Sequence, residues 1–131
     1  MPQRRILIVV DSGIDIELLL LAFQGEKITY PVDAIRTARE AIFYLAKSEC
    51  LPALVLLDLK LPDMPGLELL RLLRDDERLN GLPIVVLSAT DQAAAMGGAL
   101  QAGANSYAIK PVTFPGFRDL VVQLKTDWLS E

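Results

Sequence analysis

The sequence predicts an α/β fold: a five-stranded parallel sheet in the order 2-1-3-4-5, covered by helices on both faces. Three observations carry this. Short, nearly continuous apolar runs alternate five times with longer segments of helical periodicity. Strands of that kind are buried on both faces, as parallel strands are. A proline, Pro31, interrupts the second run and suits an edge position, which that strand order gives to the second strand.

Taken in order, Ile6 to Val10 is a β-branched, continuous run and reads as a buried strand. Asp15 to Phe23 is helical and ends near Gly25. Ile28 to Ile35 is a weak edge strand. Thr37 caps the next helix, with Glu40 placed for a capping box, and Ala38, Ala41, Ile42, Leu45 and Ala46 form its apolar stripe. Ala53 to Leu57 is the third strand, and Pro62, Asp63, Pro65 and Gly66 make the loop after it. Leu67, Leu70 and Leu73 begin a helix that fades through Asp75 and Asp76. Pro83 to Leu87 is the fourth strand. Asp91 to Ala102 is helical but holds Gly97 and Gly98, each costing about 1 kcal/mol relative to alanine; the pair either permits close packing or, the sharper expectation, loosens this helix. Ser106 to Ile109 is a short strand closed by Lys110 and Pro111; a cis peptide is the guess there, although X–Pro bonds are mostly trans and the sequence does not decide between them. Phe114 to Leu129 is the last helix, with Phe117, Leu120, Val121, Leu124 and Trp128 at helical spacing. The whole is expected to be flavodoxin-like, a single domain over residues 1–131 with no second domain.

Composition excludes several functions. With 131 residues, 52% of them hydrophobic, the chain can bury a core. A net charge of −4 and the absence of any basic run argue against a nucleic-acid surface. No apolar stretch approaches the roughly 20 residues that cross a bilayer, so no membrane partner is expected. The single cysteine, Cys50, forms no internal disulfide, and a cytoplasmic location is expected. The chain has no histidine, which removes serine–histidine triads and histidine-ligated zinc.

Ligands of such sheets bind beyond the carboxyl ends of the strands, near the switch point between strands 1 and 3. Those ends deliver Asp11 (strand 1), Asp58 (strand 3), Ser88 and Thr90 (strand 4) and Lys110 (strand 5). Two carboxylates, two hydroxyls and an ammonium suit phosphoryl transfer onto a carboxylate. An aspartate can act as nucleophile, Mg2+ takes one or two carboxylates plus waters, and a lysine neutralises a phosphoryl oxygen.

The segments ILIVVDS, LVLLDLKLPDMPGLELL, PIVVLSA and GANSYAIKPV together resemble a bacterial response-regulator receiver domain over nearly the whole chain. The resemblance implies that Asp58 is the phosphoacceptor, with Ser88 and Lys110 beside it. It implies Ser88 and Tyr107 as switch residues, and Asp11, Asp58 and the backbone carbonyl of Lys60 as Mg2+ ligands. Lys60 and Thr90 would tune the lifetime of the acyl phosphate. The ending, GANSYAIKPVTFPGF then VVQLKTDWL, is more narrowly similar to stand-alone receivers linked to bacterial phytochrome kinases.

The implied function is a single-domain response regulator. It accepts a phosphoryl group from a sensor histidine kinase or phosphotransfer protein and signals by association, with a homodimer through the helix 4–strand 5–helix 5 face as one form. It is not an enzyme in the ordinary sense, although it assists its own phosphorylation and dephosphorylation. The chain departs from the pattern after strand 1, where receivers place two adjacent acids and Val9-Val10-Asp11-Ser12 has one. Either Val10 or Ser12 replaces the other acid, and weaker Mg2+ binding is expected. The alternative is a degenerate receiver, a phosphorylation-independent binding module. An aspartyl phosphatase would need a second aspartate at position 60, which is lysine, and a flavin carrier would need a phosphate-binding loop that Asp11-Ser12-Gly13 does not supply.

Overall fold

The computed structural model describes residues 4–89 and 92–129. Five strands, β1 (Ile6–Val9), β2 (Val32–Ile35), β3 (Leu54–Asp58), β4 (Ile84–Ser88) and β5 (Ser106–Ile109), form one parallel sheet in the order β2-β1-β3-β4-β5. They alternate with α1 (Gly13–Gly25), α2 (Ala38–Lys47), α3 (Gly66–Asp75), α4 (Ala93–Gln101) and α5 (Phe114–Trp128). A 3-10 turn at Glu77–Leu79, which apolar periodicity does not register, follows α3.

Side-chain alternation along each strand splits the core into two layers. Leu7, Val9, Val55, Leu57, Ile84 and Val86 pack with α2, α3 and α4, whereas Ile6, Ile8, Leu54, Leu56, Val85 and Leu87 pack with α1 and α5. Helices lie on both faces because the strand order reverses at β1 while every crossover keeps the same hand.

Several boundaries differ from the sequence expectation for local reasons. Helix α1 starts two residues early, at Gly13, because the Ser12 side chain accepts a hydrogen bond from the Asp15 N–H at 3.2 Å and caps it. Strand β2 begins after Pro31 and not at Ile28, since Pro31 contributes only its carbonyl, to the Ile6 N–H at 2.8 Å. The peptide before Pro111 is trans, as are all the others described, against the expectation of a cis bond; the trans form of an X–Pro bond is favoured by about 0.5–1 kcal/mol. The expected Asp91 start of α4 lies outside the described residues. Helix α4 buries one residue, Ala99, and a methyl at Gly97 would meet nothing within 4 Å, so no packing need explains that glycine.

Close approach accounts for Gly66 and Gly103. A Cβ at Gly66 would lie 2.6 Å from both the Asp58 carbonyl oxygen and Leu59 Cα, so α3 can begin directly beneath the end of β3 only without a side chain there. Gly103 has φ +114°, in the left-handed region, and lies against Arg74. The Arg74 guanidinium donates to the carbonyls of Gly103, Leu79 and Leu82 and to Asn105 Oδ1 at 2.8–2.9 Å, joining α3 to the loops around β4.

At the β2 edge, Asp33 accepts from Arg5 at 2.6 and 2.9 Å and from the Tyr44 hydroxyl at 2.5 Å. Burial, and then the bond to Asp33, push the Tyr44 phenol up to about 12. Its usual value is about 10, so the folded state holds this proton more tightly than the unfolded chain. The stabilisation is full below pH 10 and is lost as pH rises from 10 to 12. Urea midpoints measured across that window should fall in the wild type, and fall less in Tyr44→Phe.

Candidate functional site

Asp58 is the last residue of β3 and continues the alternation of Leu54 and Leu56, which face α1 and α5. Lys110 follows β5 and continues the alternation of Ala108, which packs on the same side. The two side chains therefore converge, and Lys110 Nζ lies 2.6 Å from Asp58 Oδ2. The Lys110 N–H donates to the Ser88 carbonyl at 2.7 Å, which fixes where the chain leaves the sheet. Asp58 Oδ1 accepts the Lys60 N–H at 3.0 Å.

Asp58 is 3% exposed. A buried carboxylate costs several kcal/mol unless it is paired, and here each oxygen has a donor. Burial alone would lower the Lys110 pKa; hydrogen bonds to Asp58 and Asp15 outweigh it, and the ammonium is held above its ordinary value.

The other expected residues are placed unequally. Ser88 ends β4, is buried, and stands one residue past Leu87, the register partner of Asp58. Tyr107 lies on β5 opposite Val86, half-buried against the layer of α2, α3 and α4. The Lys60 backbone is at the site and its side chain is exposed; its neighbourhood is tied down by a bridge to Pro65. Thr90 lies outside the described residues. Asp11 is engaged by Arg36: its side chain is 50% exposed, and Arg36 Nε lies 3.8 Å from Oδ1 and donates to the Asp11 carbonyl at 2.8 Å. Val10 is fully buried in the layer of α1 and α5, so an apolar side chain continues β1 directly before Asp11, while Ser12 is used as a helix cap.

Two participants escape sequence reasoning. Asp15, in the first turn of α1, lies 3.0 Å from Lys110 Nζ through Oδ2. Arg36, just past β2, is the partner of Asp11. The signal for Asp15 is its place three residues after the cap Ser12, at a helix start beside the sheet end; nothing local marks Arg36.

The oxygen donors of Asp58, Asp11 and Lys60 are of the hard type that Mg2+ takes. Their number is small: among the described residues no three acidic, histidine or cysteine side chains gather closely enough to hold a metal ion. Donors of this chemistry suit a divalent ion completed largely by water.

A model of the response regulator receiver domain matches residues 6–122. The chain belongs to the response regulator receiver family. It is 34% identical over 129 residues to the probable methanogenesis regulatory protein FilR2 of Methanothrix harundinacea, covering 95% of this chain and 83% of that one. It spans about half the length of another set of curated relatives, among them the DNA-binding response regulator MtrA of Mycobacterium tuberculosis, at 38% over 109 residues, 83% of this chain and 45% of that one. Among solved structures it is similar to the phosphorylated cyanobacterial phytochrome response regulator RcpA, with TM-score 0.89, 28% identity and coverage of 98% and 96%. It is also similar to the Mn2+-bound response regulator Rcp1, with TM-score 0.86, 25% identity and coverage of 97% and 95%.

The receiver is a signalling domain of two-component systems. Its fold and the likeness to phytochrome-associated regulators agree with the sequence expectation. Among the described residues no helix is long and apolar enough to cross a membrane.

Proposed function

We propose that this receiver takes a phosphoryl group onto Asp58 from a phosphohistidine carried by a sensor histidine kinase or phosphotransfer protein of the phytochrome-linked type. The observation that carries this is the 2.6 Å contact between Lys110 Nζ and Asp58 Oδ2 at the carboxyl end of the sheet. The partner supplies the histidine, because this chain has none. An Asp58 oxygen attacks phosphorus and the P–N bond breaks. Its electron pair returns to the imidazole nitrogen, which takes a proton, and an acyl phosphate remains. Lys110 neutralises a phosphoryl oxygen, and the Lys60 N–H holds the carboxyl group in place. The domain thereby assists its own phosphorylation and later hydrolysis, with Lys60 and Thr90 tuning the lifetime.

Asp58, Asp11 and the Lys60 carbonyl would hold Mg2+, which when bound offsets the charge of carboxylates and phosphoryl oxygens. Arg36 competes for Asp11. A half-exposed pair of this kind is worth about 1 kcal/mol or less, so Arg36→Gln should tighten Mg2+ binding by up to about fivefold. Backbone amide shifts in an NMR titration read this directly.

Exposed Ile14 is adjacent to Asp15, and exposed Ile109 and Val112 flank Lys110-Pro111, an apolar setting suited to a docking protein. Ser88 and Tyr107 would respond to the phosphate and alter α4, β5 and α5, where Leu100, Ile109 and Val122 are each about half exposed. Output is then by association, with a second copy or another protein, in a cytoplasmic setting that the lone Cys50 suits. The test is acetyl phosphate with Mg2+, followed by intact mass and peptide mapping. One phosphoryl group on the peptide holding Asp58 supports the reading. No adduct at millimolar Mg2+ sinks it in favour of the phosphorylation-independent module.

A further inference from the structure

We propose that Asp15 is a positioning residue for phosphoryl transfer, acting through Lys110 by giving its ammonium a second carboxylate seat beside Asp58. The inference rests on Asp58 being the phosphoacceptor.

Three observations lead to it. Lys110 Nζ is shared, 2.6 Å from Asp58 Oδ2 and 3.0 Å from Asp15 Oδ2, and the two carboxylates reach it from separate elements, β3 and α1. The Asp15 side chain is 18% exposed and that of Lys110 is 20%, so the contact is sheltered well beyond an ordinary surface pair. Asp15 is also fixed from behind, since its own N–H is bonded to the Ser12 cap. Its carboxylate is therefore delivered by a rigid helix start, not by a mobile loop.

The need for a second seat follows from the burial of Asp58. Lys110 holds Oδ2 and the Lys60 N–H engages Oδ1, so for the ammonium to meet the oxygens of an incoming phosphoryl group it must move from its place on Oδ2. An ammonium leaving its one partner in a sheltered site would lose that interaction outright. With Asp15 in reach it swings without losing a counter-ion, and it stays within reach of the phosphoryl oxygens that arrive. Asp15 also supplies a negative charge to the ammonium, whereas Val10 is apolar and buried and Asp11 is paired with Arg36.

The test compares wild type with Asp15→Asn and Asp15→Glu. The side-chain ammonium signal of Lys110 is read by NMR before any phosphodonor is added. The rate of acetyl-phosphate labelling is then followed by mass at fixed saturating Mg2+. In Asp15→Asn the ammonium signal should shift or exchange-broaden, and labelling should slow by about tenfold, the scale of one lost sheltered ion pair. Asp15→Glu should recover part of the rate, which a purely structural role in the α1 cap would not predict. Equal rates in wild type and Asp15→Asn, or an unmoved Lys110 signal, overturn the role of Asp15 while leaving Asp58 as phosphoacceptor. If wild type itself takes no phosphoryl group, the functional reading fails, and the role in transfer fails with it.

Discussion

Replacing Asp58 with asparagine is expected to abolish phosphoryl uptake completely while leaving the fold standing. The amide has no carboxylate oxygen to attack phosphorus, so the intact-mass adduct should vanish at every Mg2+ concentration. Stability should barely move. The asparagine side chain keeps an oxygen for the Lys60 N–H, and Lys110 retains Asp15 at 3.0 Å, so no charge is left buried alone. The variant also removes the desolvation cost of a carboxylate that is 3% exposed. Denaturant midpoints for the two proteins should agree closely, and an adduct persisting in Asp58→Asn would place the acceptor elsewhere.

Replacing Lys110 with alanine should have the opposite profile in stability. The Asp58 carboxylate would keep its burial and lose its counter-ion, and breaking a buried pair from one side costs about 3–5 kcal/mol. The Lys60 N–H at 3.0 Å compensates one oxygen and not the other. Urea unfolding should show that loss in the single variant. The double variant Lys110→Ala with Asp58→Asn should recover most of it, because the stranded charge is gone. A single variant within about 0.5 kcal/mol of wild type would mean that water reaches Asp58 and that the pair is not sheltered. Labelling should also fall in Lys110→Ala, since no ammonium meets the phosphoryl oxygen.

The contrast between these two variants explains how much of the site could be read from residues alone. Asp58 and Lys110 were legible because each terminates an apolar run, and in a parallel sheet every such terminus reaches the same edge. The register pairs Val55↔Ile84 and Val85↔Ser106 then bring positions distant in sequence side by side. Asp11 was legible by the same logic, but strand-end position does not say where a carboxylate turns. Its orientation toward Arg36 depends on how β2, the edge strand, ends beside β1. The cis peptide expected before Pro111 failed because a proline restricts its ring torsion without dictating the isomer of the preceding bond.

By itself the amino-acid order determined the alternation of elements, the two-layer core, the edge place of the proline-bearing strand and the candidates at the strand ends. These follow from periodicity, backbone chemistry and burial, which act over a few neighbouring residues. Only the tertiary structure decided that Lys110 is shared with Asp15, that Asp11 is turned to Arg36, and that Asp58 is almost fully enclosed. Those outcomes depend on sheet register and on the seating of α1 against the strand ends, where a shift of a few ångströms makes or breaks an ion pair.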